Sequence, residues 1–358
     1  MGLPFFDSAI GRKRDQVMAV DLGSRTTKAV CVARRGSGFA LRGYAFLDAP
    51  ICEKSLPPEL LSEHLKAVNQ ALQSPTKYVS LTAGVGDVQV RHVDLPRMPV
   101  SDMRQVLKLN SKSYLQQDLP GHTYDCHVCN QGPLAKPNGK PQDAGGPPKH
   151  RVLIAGARKQ VVDDYLQGCK GAGLVAENIV PGLISPFNTF ERAMPDAFAK
   201  EAVALVDLGF KNTSICIAKE GDLVLSRVVG IGGDRMTNSL AESLSISYAE
   251  AEGIKIGMPG EVQTQLESML VPLGRELRAS IDFFEHQHDR PVTQVLLTGG
   301  PSQSEFVTHR LQQELMVDCK LLNPAGFLQL DLPAQQTAEI EQAAPQLTVA
   351  LGAALAAL

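Results

Sequence analysis

Apolar and polar positions follow one distinctive pattern that occurs twice along the chain. It reads VMAVDLGSRTTKAVCV at 17–32 and VALVDLGFKNTSICIA at 203–218, with Asp-Leu-Gly in register. In each copy an apolar, β-rich run leads into an Asp-x-Gly turn and then into a second β-rich run, which predicts a β-hairpin. The two aspartates, Asp21 and Asp207, are 186 residues apart (207 − 21). The repeat therefore predicts two similar halves that face each other across a cleft.

Helical and irregular segments are indicated elsewhere. After Pro57-Pro58, apolar residues recur with helical spacing and predict an amphipathic helix: Leu61, Leu65, Val68 and Leu72. A second helical stripe is interpreted as core packing: Leu270, Leu273, Leu277, Ile281 and Phe284. Residues 130–150 are rich in Pro and Gly and have no periodicity, which predicts a flexible loop.

Composition and charge limit the class of protein. With 358 residues, 44% of them apolar and 20% charged, the chain has ample material for a two-lobed soluble protein. The formal net charge of −3 does not indicate nucleic acid as a partner. No apolar run reaches the ~18–20 residues of a membrane span. The terminal LTVALGAALAAL at 347–358 predicts a buried helix, and the first residues lack the apolar core of a secretory signal.

The cysteines favour a reducing compartment over a disulfide framework. They are seven in number, scattered, and several lie in apolar strands, which is typical of a cytoplasmic protein. Cys126 and Cys129 have the spacing of a zinc-ligand pair, but no second Cys-x-x-Cys follows at zinc-ribbon spacing. The segment from His122 to Asn130 alternates like an exposed strand, so structural cysteines are expected and metal binding is left open.

Glycine-rich turns after strands provide the candidate binding chemistry. Glycine lets the backbone come close to a ligand, and polar residues after each turn offer donors: Ser24, Thr26, Thr27, Lys28, Lys211, Asn212 and Thr213. A third segment, QVLLTGGPSQSEF at 294–306, runs from an apolar strand into Gly299-Gly300 and a polar helix start, where an anion or a flat ring can lie against backbone. One Asp-x-Gly turn is most often a plain hairpin turn, but two of them followed by the Gly299-Gly300 turn, in this order, favour a polyphosphate site.

In this order the segments resemble the two phosphate loops and the adenosine loop of the actin-like ATPase superfamily, which includes sugar kinases, heat-shock chaperones, actin and FtsA. Within it the chain resembles the PilM family of type IV pilus assembly proteins from about Gln16 to Leu358. The similarity lies in VDLGSRTTKAV, residues 207–255, ELRASIDFF with VLLTGG, and LTVALGAALAAL. It implies an α/β fold of the actin-like, ribonuclease H-like type, with two lobes that each contain a mixed sheet and an FtsA/PilM-type subdomain IC in place of actin's IB.

The resemblance also implies a division into subdomains. Subdomain IA would comprise 15–78, 174–200 and 345–358. Subdomain IC, at 79–173, would dock a partner and carry the loop 130–150. The second lobe would be divided between IIA, at 201–236 and 293–344, and IIB, at 237–292.

Individual roles follow from the same resemblance. Asp21 and Asp207 would face a Mg²⁺ ion, most simply through water, because this ion gives up its water reluctantly. Lys28 would neutralise phosphate charge, and Glu252 and Lys255 would reach the ribose or adenine. The implied nucleotide-binding set is Asp21, Gly23, Ser24, Arg25, Thr26, Lys28, Asp207, Gly209, Phe210, Lys211, Asn212, Gly232, Gly233, Glu252, Lys255, Gly299 and Gly300.

The sequence gives no assignment of a hydrolytic residue. In this superfamily a carboxylate or amide that positions water would come from 177–190, and where similar chains often have Glu before Pro this one has Ser185-Pro186. Phe210 is also bulkier than the small residue usual in that loop. The expectation is ATP and Mg²⁺ as cofactors with, at most, slow ATPase activity, so that ATP acts as a switch of lobe closure.

The resemblance implies a cytoplasmic adaptor, peripheral at the inner membrane through its partner. That partner would be the N-terminal peptide of a PilN-like inner-membrane protein, bound in a groove between IA and IC whose walls come from 79–125. Pilus motor ATPases and self-association are left open as further contacts. The type of pilus or secretion machine is not indicated.

Two alternatives are carried forward. One is a sugar-kinase-like phosphotransferase, which requires an Asp base and a sugar-binding insertion that are not evident in the first half. The other is an FtsA-like filament-forming cytoskeletal protein, whose amphipathic C-terminal membrane helix is missing here because the chain ends at Leu358.

Overall fold

The computed structural model describes residues 14–52, 56–116, 119–129, 149–257 and 259–358. The predicted loop 130–150 lies outside them except for its last two residues, which begin a strand. The strands of the described chain are β1 Gln16–Leu22, β2 Thr26–Arg35, β3 Gly38–Asp48, β4 Tyr78–Ala83, β5 Val88–Pro96, β6 His122–Val128, β7 Lys149–Arg158, β8 Val175–Pro181, β9 Ala202–Leu208, β10 Thr213–Lys219, β11 Asp222–Val229, β12 Gln294–Thr298, β13 Cys319–Leu321 and β14 Leu328–Leu330. The helices are α1 Pro58–Leu72, α2 Val100–Leu115, α3 Lys159–Gly171, α4 Ser185–Ala193, α5 Pro195–Lys200, α6 Gly233–Leu244, α7 Tyr248–Gly257, α8 Gln263–His288, α9 Glu305–Leu315 and α10 Ala334–Ala357.

The two repeated phrases form two antiparallel hairpins, as predicted. β1 pairs with β2, and β9 pairs with β10. Each hairpin extends into a mixed sheet, because β1 and β9 also pair in parallel with β4 and β12. The strand orders are β14-β3-β2-β1-β4-β8 and β11-β10-β9-β12-β13. The predicted α/β fold with two lobes, each built on a mixed sheet, is therefore confirmed.

A third, antiparallel sheet has the strand order β5-β7-β6. One apolar cluster joins it to α2 through Leu95, Met103, Leu107 and Ile154. Alternate residues of the same strands, such as Val90 and Leu153, belong instead to the large cluster that contains α1. The sheet is thus buried on both faces, since successive side chains of a strand point to opposite sides.

The two predicted apolar stripes are core. Leu61, Leu65 and Val68 of α1 are fully buried. The five residues of the α8 stripe, from Leu270 to Phe284, are at most 1% exposed. Terminal helix α10 is buried along most of its length and packs on the first sheet, as the apolar run predicted. No helix in the described ranges is long and apolar enough to cross a membrane.

One strand that the sequence division assigned to the second lobe belongs to the first sheet. Residues 293–344 were expected in IIA, but β14 pairs in parallel with β3 of the first sheet. Gln336 of α10 also donates a hydrogen bond to the Tyr44 carbonyl at 3.0 Å. The chain therefore returns to the first lobe before residue 328, because β14 completes the edge of that sheet.

Candidate nucleotide-binding cleft

The turns of both hairpins open into one cleft between the two lobes. Its volume is about 1800 Å³, larger than the roughly 300–1,000 Å³ of most small-molecule pockets. Every residue predicted from the sequence to bind nucleotide lines this cleft except Gly232. The tertiary structure thus brings together residues from Asp21 to Gly300 that are far apart in the chain.

Two carboxylates occupy equivalent places at the base of the cleft. Asp21 is the penultimate residue of β1 and accepts a hydrogen bond of 2.9 Å from the Thr82 hydroxyl on β4. Asp207 is the penultimate residue of β9 and accepts one of 3.0 Å from the Thr298 hydroxyl on β12. In both sheets the threonine is the register partner of the aspartate on the parallel neighbour. Each half therefore orients its carboxylate through a hydrogen bond from a threonine on the neighbouring parallel strand.

The two threonines were missed in the sequence, although a signal for them exists. Thr82 belongs to VSLTAG at 79–84 and Thr298 to VLLTGG at 295–300. These phrases form a second repeat, with Leu-Thr followed by small residues in both. To assign these threonines to the aspartates from sequence, one would have to know that β4 pairs with β1 and that β12 pairs with β9.

Lys28 provides the positive charge between the carboxylates. Its Nζ lies 3.2 Å from Asp21 Oδ2. Burial alone would lower the pKa of this ammonium, but the charges of Asp21 and Asp207 outweigh burial and the pKa is raised. Burial raises the pKa of the Asp207 carboxyl, an effect that Asp21 increases and Lys28 opposes. The equivalent position of the second hairpin, opposite Asp207, is Ser214, which carries no charge.

Glycines let the loops approach one another at the backbone. A Cβ on Gly232 would lie 2.4 Å from the Phe210 carbonyl oxygen, and one on Gly299 would lie 2.2 Å from that of Leu208. Gly299 also has φ +90°, a conformation that favours glycine. Gly232 is therefore a packing residue behind the second loop, and this explains why it does not line the cleft.

The start of α6 is bonded to the second loop. The Gly233 N–H donates to the Gly209 carbonyl at 3.0 Å, and the Asp234 N–H donates to the Phe210 carbonyl at 2.8 Å. Helix N-termini ordinarily leave such donors free for anions. Here these two donors are satisfied by protein, so they hold the loop rather than a ligand.

Glu252 is the centre of a polar network on the side of the second lobe. Its Oε2 lies 2.6 Å from Lys255 Nζ and also accepts a hydrogen bond from the Thr237 hydroxyl. Its Oε1 lies 2.6 Å from Nη1 of Arg25, which belongs to the first hairpin turn. Burial would raise the pKa of the Glu252 carboxyl, but the hydrogen bonds and cations lower it. Burial lowers the pKa of Lys255 despite Glu252.

The connection expected to provide a hydrolytic residue contributes only backbone and apolar surface to the cleft. From 177–190 only Gly182 and Leu183 line it. Ser185 is fully buried, and its hydroxyl donates to the Pro181 carbonyl at 3.2 Å. Other polar cleft residues that the sequence reasoning did not name include Asp87, which is ion-paired with Arg158, and Tyr165.

The Cys-x-x-Cys pair lies away from this cleft, on and just after β6. Cys126 is buried rather than exposed, and burial raises the pKa of both Cys126 and Cys129 to about 11. Burial thus favours the protonated thiol of each cysteine over the thiolate. Within the described residues, no group of three or more His, Cys, Asp or Glu is placed to hold a metal ion.

Comparisons with known proteins agree with this architecture. A solved PilM-PilN type IV pilus biogenesis complex contains a chain with a TM-score of 0.81 and 22% identity, over 97% of this chain and 99% of that one. EutJ, an ethanolamine utilization protein from Carboxydothermus hydrogenoformans, has a TM-score of 0.55 and 15% identity, over 96% and 90% of the two chains. MreB 5 of Spiroplasma citri, solved with AMPPNP, has a TM-score of 0.53 and 9% identity, over 95% of each chain. At these identities the structures show the fold alone.

Sequence comparison also finds similarity to the cell division protein FtsA. FtsA of Agrobacterium fabrum is 24% identical over 299 residues, which cover 72% of this chain. The chain spans just under two thirds, 65%, of the length of that relative. The family described as type IV pilus assembly protein PilM matches residues 19–358. The chain therefore belongs to the PilM family of type IV pilus assembly proteins.

Proposed function

We propose that this protein is a cytoplasmic ATP-binding adaptor of a type IV pilus inner-membrane assembly platform. The observation that carries the proposal is the pair of partly buried carboxylates, Asp21 and Asp207, that line one cleft together with Lys28. In this reading the cleft binds ATP, and the nucleotide sets how the lobes close. The adaptor role rests on membership of the PilM family.

The residues of the cleft fit Mg²⁺ with a polyphosphate. Asp21 and Asp207 provide the hard oxygen ligands that this ion prefers, and either could hold it through water. Bound Mg²⁺ would neutralise phosphate charge next to two carboxylates that otherwise repel it. Lys28 contributes a fixed cation, and the first and second turns contribute backbone N–H groups around Gly23 and Gly209. Glu252, Lys255 and the Gly299-Gly300 turn would hold the ribose and base.

Binding rather than rapid turnover is the proposed use of ATP. Hydrolysis requires a side chain that positions or activates water. The connection 177–190 places Gly182 and Leu183 in the cleft, while the Ser185 hydroxyl donates a hydrogen bond to the Pro181 carbonyl. Phosphate release much slower than nucleotide exchange is therefore expected.

The proposed partner is the N-terminal peptide of a PilN-like inner-membrane protein. The solved relative with a TM-score of 0.81 is described as a PilM-PilN complex, which supports a partner of this kind. In this proposal the docking groove lies between subdomain IA, at 15–78, 174–200 and 345–358, and subdomain IC at 79–173. The protein would then lie at the membrane through that partner.

The first experiment is calorimetric titration with ATP in the presence and absence of Mg²⁺. The native chain should bind Mg-ATP, and Asp21→Asn and Asp207→Asn should each weaken binding by about tenfold or more, since 1.4 kcal/mol corresponds to a factor of ten. Asp331→Asn is the control, because Asp331 is half exposed and lies outside the cleft. Equal affinity of the native chain and both cleft variants would refute the proposed site. Phosphate release is followed in the same samples.

The partner is tested with a fluorescent N-terminal peptide of a PilN-like membrane protein. Anisotropy should report saturable binding, with an affinity that changes when Mg-ATP is added. No binding with or without nucleotide would contradict the adaptor role while leaving the nucleotide site standing. The same assay can be extended to a pilus motor ATPase.

Self-association is a separate proposal, favoured by the similarity to FtsA. Analytical ultracentrifugation with and without Mg-ATP tests it. A monomer at all concentrations in both conditions would argue against a filament.

A further inference from the structure

One ion pair crosses the mouth of the cleft from lobe to lobe. Arg25 belongs to the turn of the first hairpin, and Glu252 belongs to α7 of the second lobe. Arg25 Nη1 lies 2.6 Å from Glu252 Oε1. The Arg25 guanidinium also lies over the Phe210 ring, with Cζ 5.2 Å from the ring centroid. Arg25 therefore contacts both the second phosphate-loop candidate and α7.

These contacts explain why a bulky aromatic residue, Phe210, can be useful in the second loop. A planar guanidinium stacks well on an aromatic face, and the ring restricts where the arginine can lie. Phe210 is thus a platform that directs Arg25 toward Glu252. A small residue at this position would remove the ring and leave the ion pair with Glu252 to position Arg25.

The Arg25–Glu252 pair can open without leaving the Glu252 carboxylate uncompensated. Glu252 Oε2 lies 2.6 Å from Lys255 Nζ, and the carboxylate also accepts from Thr237. If Arg25 leaves, Glu252 is still compensated and its Oε1 becomes free to accept a hydrogen bond. Arg25 is 41% exposed, so its release needs no unpacking of the core.

We propose that Arg25 and Glu252 tie the lobes together in the nucleotide-free protein and select ligands that carry both a ribose and a polyphosphate. This inference rests on the proposed nucleotide site and deepens it. A polyphosphate offers Arg25 several anionic oxygens in place of one carboxylate, and arginine pairs well with phosphate. Ribose hydroxyls then donate to the vacated Glu252 Oε1. Adenosine alone must displace Arg25 and gives it no new partner.

The test compares ATP with adenosine in the native chain, Arg25→Ala and Arg25→Lys. The native preference for ATP should fall by about tenfold in Arg25→Ala, with adenosine bound no more weakly than by the native chain. Arg25→Lys should be intermediate, because lysine keeps the charge but not the paired donors. Arg35→Ala is the matched control, since Arg35 lies on the same hairpin and contacts Asp331 at 3.7 Å outside the cleft. An unchanged ATP preference in Arg25→Ala would overturn the proposal.

Amide hydrogen exchange of the nucleotide-free protein gives a second, independent readout. Arg25→Ala should increase exchange in 22–26 and 248–257, while Arg35→Ala should not. Phe210→Leu should act in the same direction as Arg25→Ala, because it removes the ring under the guanidinium. If the native chain binds no nucleotide, the proposed function fails and the selectivity proposal with it. Exchange that is the same in the native and Arg25→Ala chains would overturn the tie itself.

Discussion

At the scale of single residues, the cleft depends on how each buried charge is compensated. Asp207 is hydrogen-bonded to Thr298, and Lys28 is attracted by both carboxylates. Asp21, Asp207 and Lys28 together carry one net negative charge when all three are ionised. In the proposed site a divalent cation would offset this charge and allow an anionic phosphate chain to bind.

Gly232 predicts a sharp effect of a single methyl group. Gly232→Ala would place a Cβ 2.4 Å from the Phe210 carbonyl oxygen, so the second loop must move. We expect Mg-ATP affinity to fall by about tenfold or more, measured by calorimetry. Gly230→Ala is the control, because no atom lies within 4 Å of the added Cβ. Equal affinities for the two variants would show that the close approach is not needed for binding.

At the scale of secondary structure elements, the three-stranded sheet is attached to the second lobe as well as to the first. His92 on β5 donates from Nε2 to the Leu223 carbonyl on β11, at 2.7 Å. Leu223 belongs to the same apolar cluster as Val90 and Leu153. The β10–β11 hairpin is therefore the contact through which movement of the second lobe would reach this sheet.

This contact predicts a specific pH dependence of stability. Burial, with a contribution from Arg151, lowers the pKa of His92 to about 4. Because the unfolded chain takes up a proton near pH 6.5, stability from the neutral imidazole is complete above that pH and declines as the pH falls toward 4. We expect the native chain to lose about 2 kcal/mol more than His92→Gln between pH 7 and pH 5, measured by urea unfolding. Parallel losses in both proteins would contradict this assignment.

The contact between α10 and α4 predicts another element-scale effect. A Cβ on Gly352 would lie 1.9 Å from the Ser185 carbonyl oxygen, so the helices must separate. We expect Gly352→Ala to reduce the free energy of unfolding by about 2–3 kcal/mol. In Gly253→Ala the added Cβ meets no atom within 4 Å, and helix propensity should add up to about 1 kcal/mol. Urea unfolding that ranks the two variants the other way would refute the close helix packing.

At the scale of the whole molecule, one apolar cluster crosses between the lobes. It contains Leu81 of the first sheet, Leu205 of the second sheet and Phe187 of α4. The Phe187 ring also packs edge-on against Phe198 of α5, with centroids 5.1 Å apart. Because the cluster is shared, the lobes should unfold together rather than in separate steps.

The effect of ligand binding on unfolding tests whether the two lobes unfold together. At a free Mg-ATP concentration 100 times the dissociation constant, the native chain should gain about 2.7 kcal/mol of stability in a single calorimetric transition. Asp207→Asn should gain much less at the same concentration, because it binds Mg-ATP more weakly. Two transitions, of which only one responds to nucleotide, would show that the lobes unfold independently.

The difference between sequence and structure follows from the range of each interaction. The Asp-x-Gly hairpins and the helices with apolar stripes were predicted because their signals lie within about 16 consecutive residues. Asp21, Lys28, Asp207 and Gly299 were predicted as cleft residues because they lie at or near turns whose order is itself informative. Thr82 and Thr298 were missed because only strand pairing places them next to the aspartates.

By itself, the sequence determined the two-lobed α/β fold, the membership of the PilM family and the three glycine-rich turns that meet in the cleft. These properties depend on local pattern and on repetition along the chain. Only the tertiary structure decided that β14 completes the first sheet, that Gly232 packs behind the second loop and that Arg25 reaches Glu252. Each of these contacts joins segments that are distant in sequence, and its geometry is set by sheet pairing and lobe packing rather than by the residues adjacent to it.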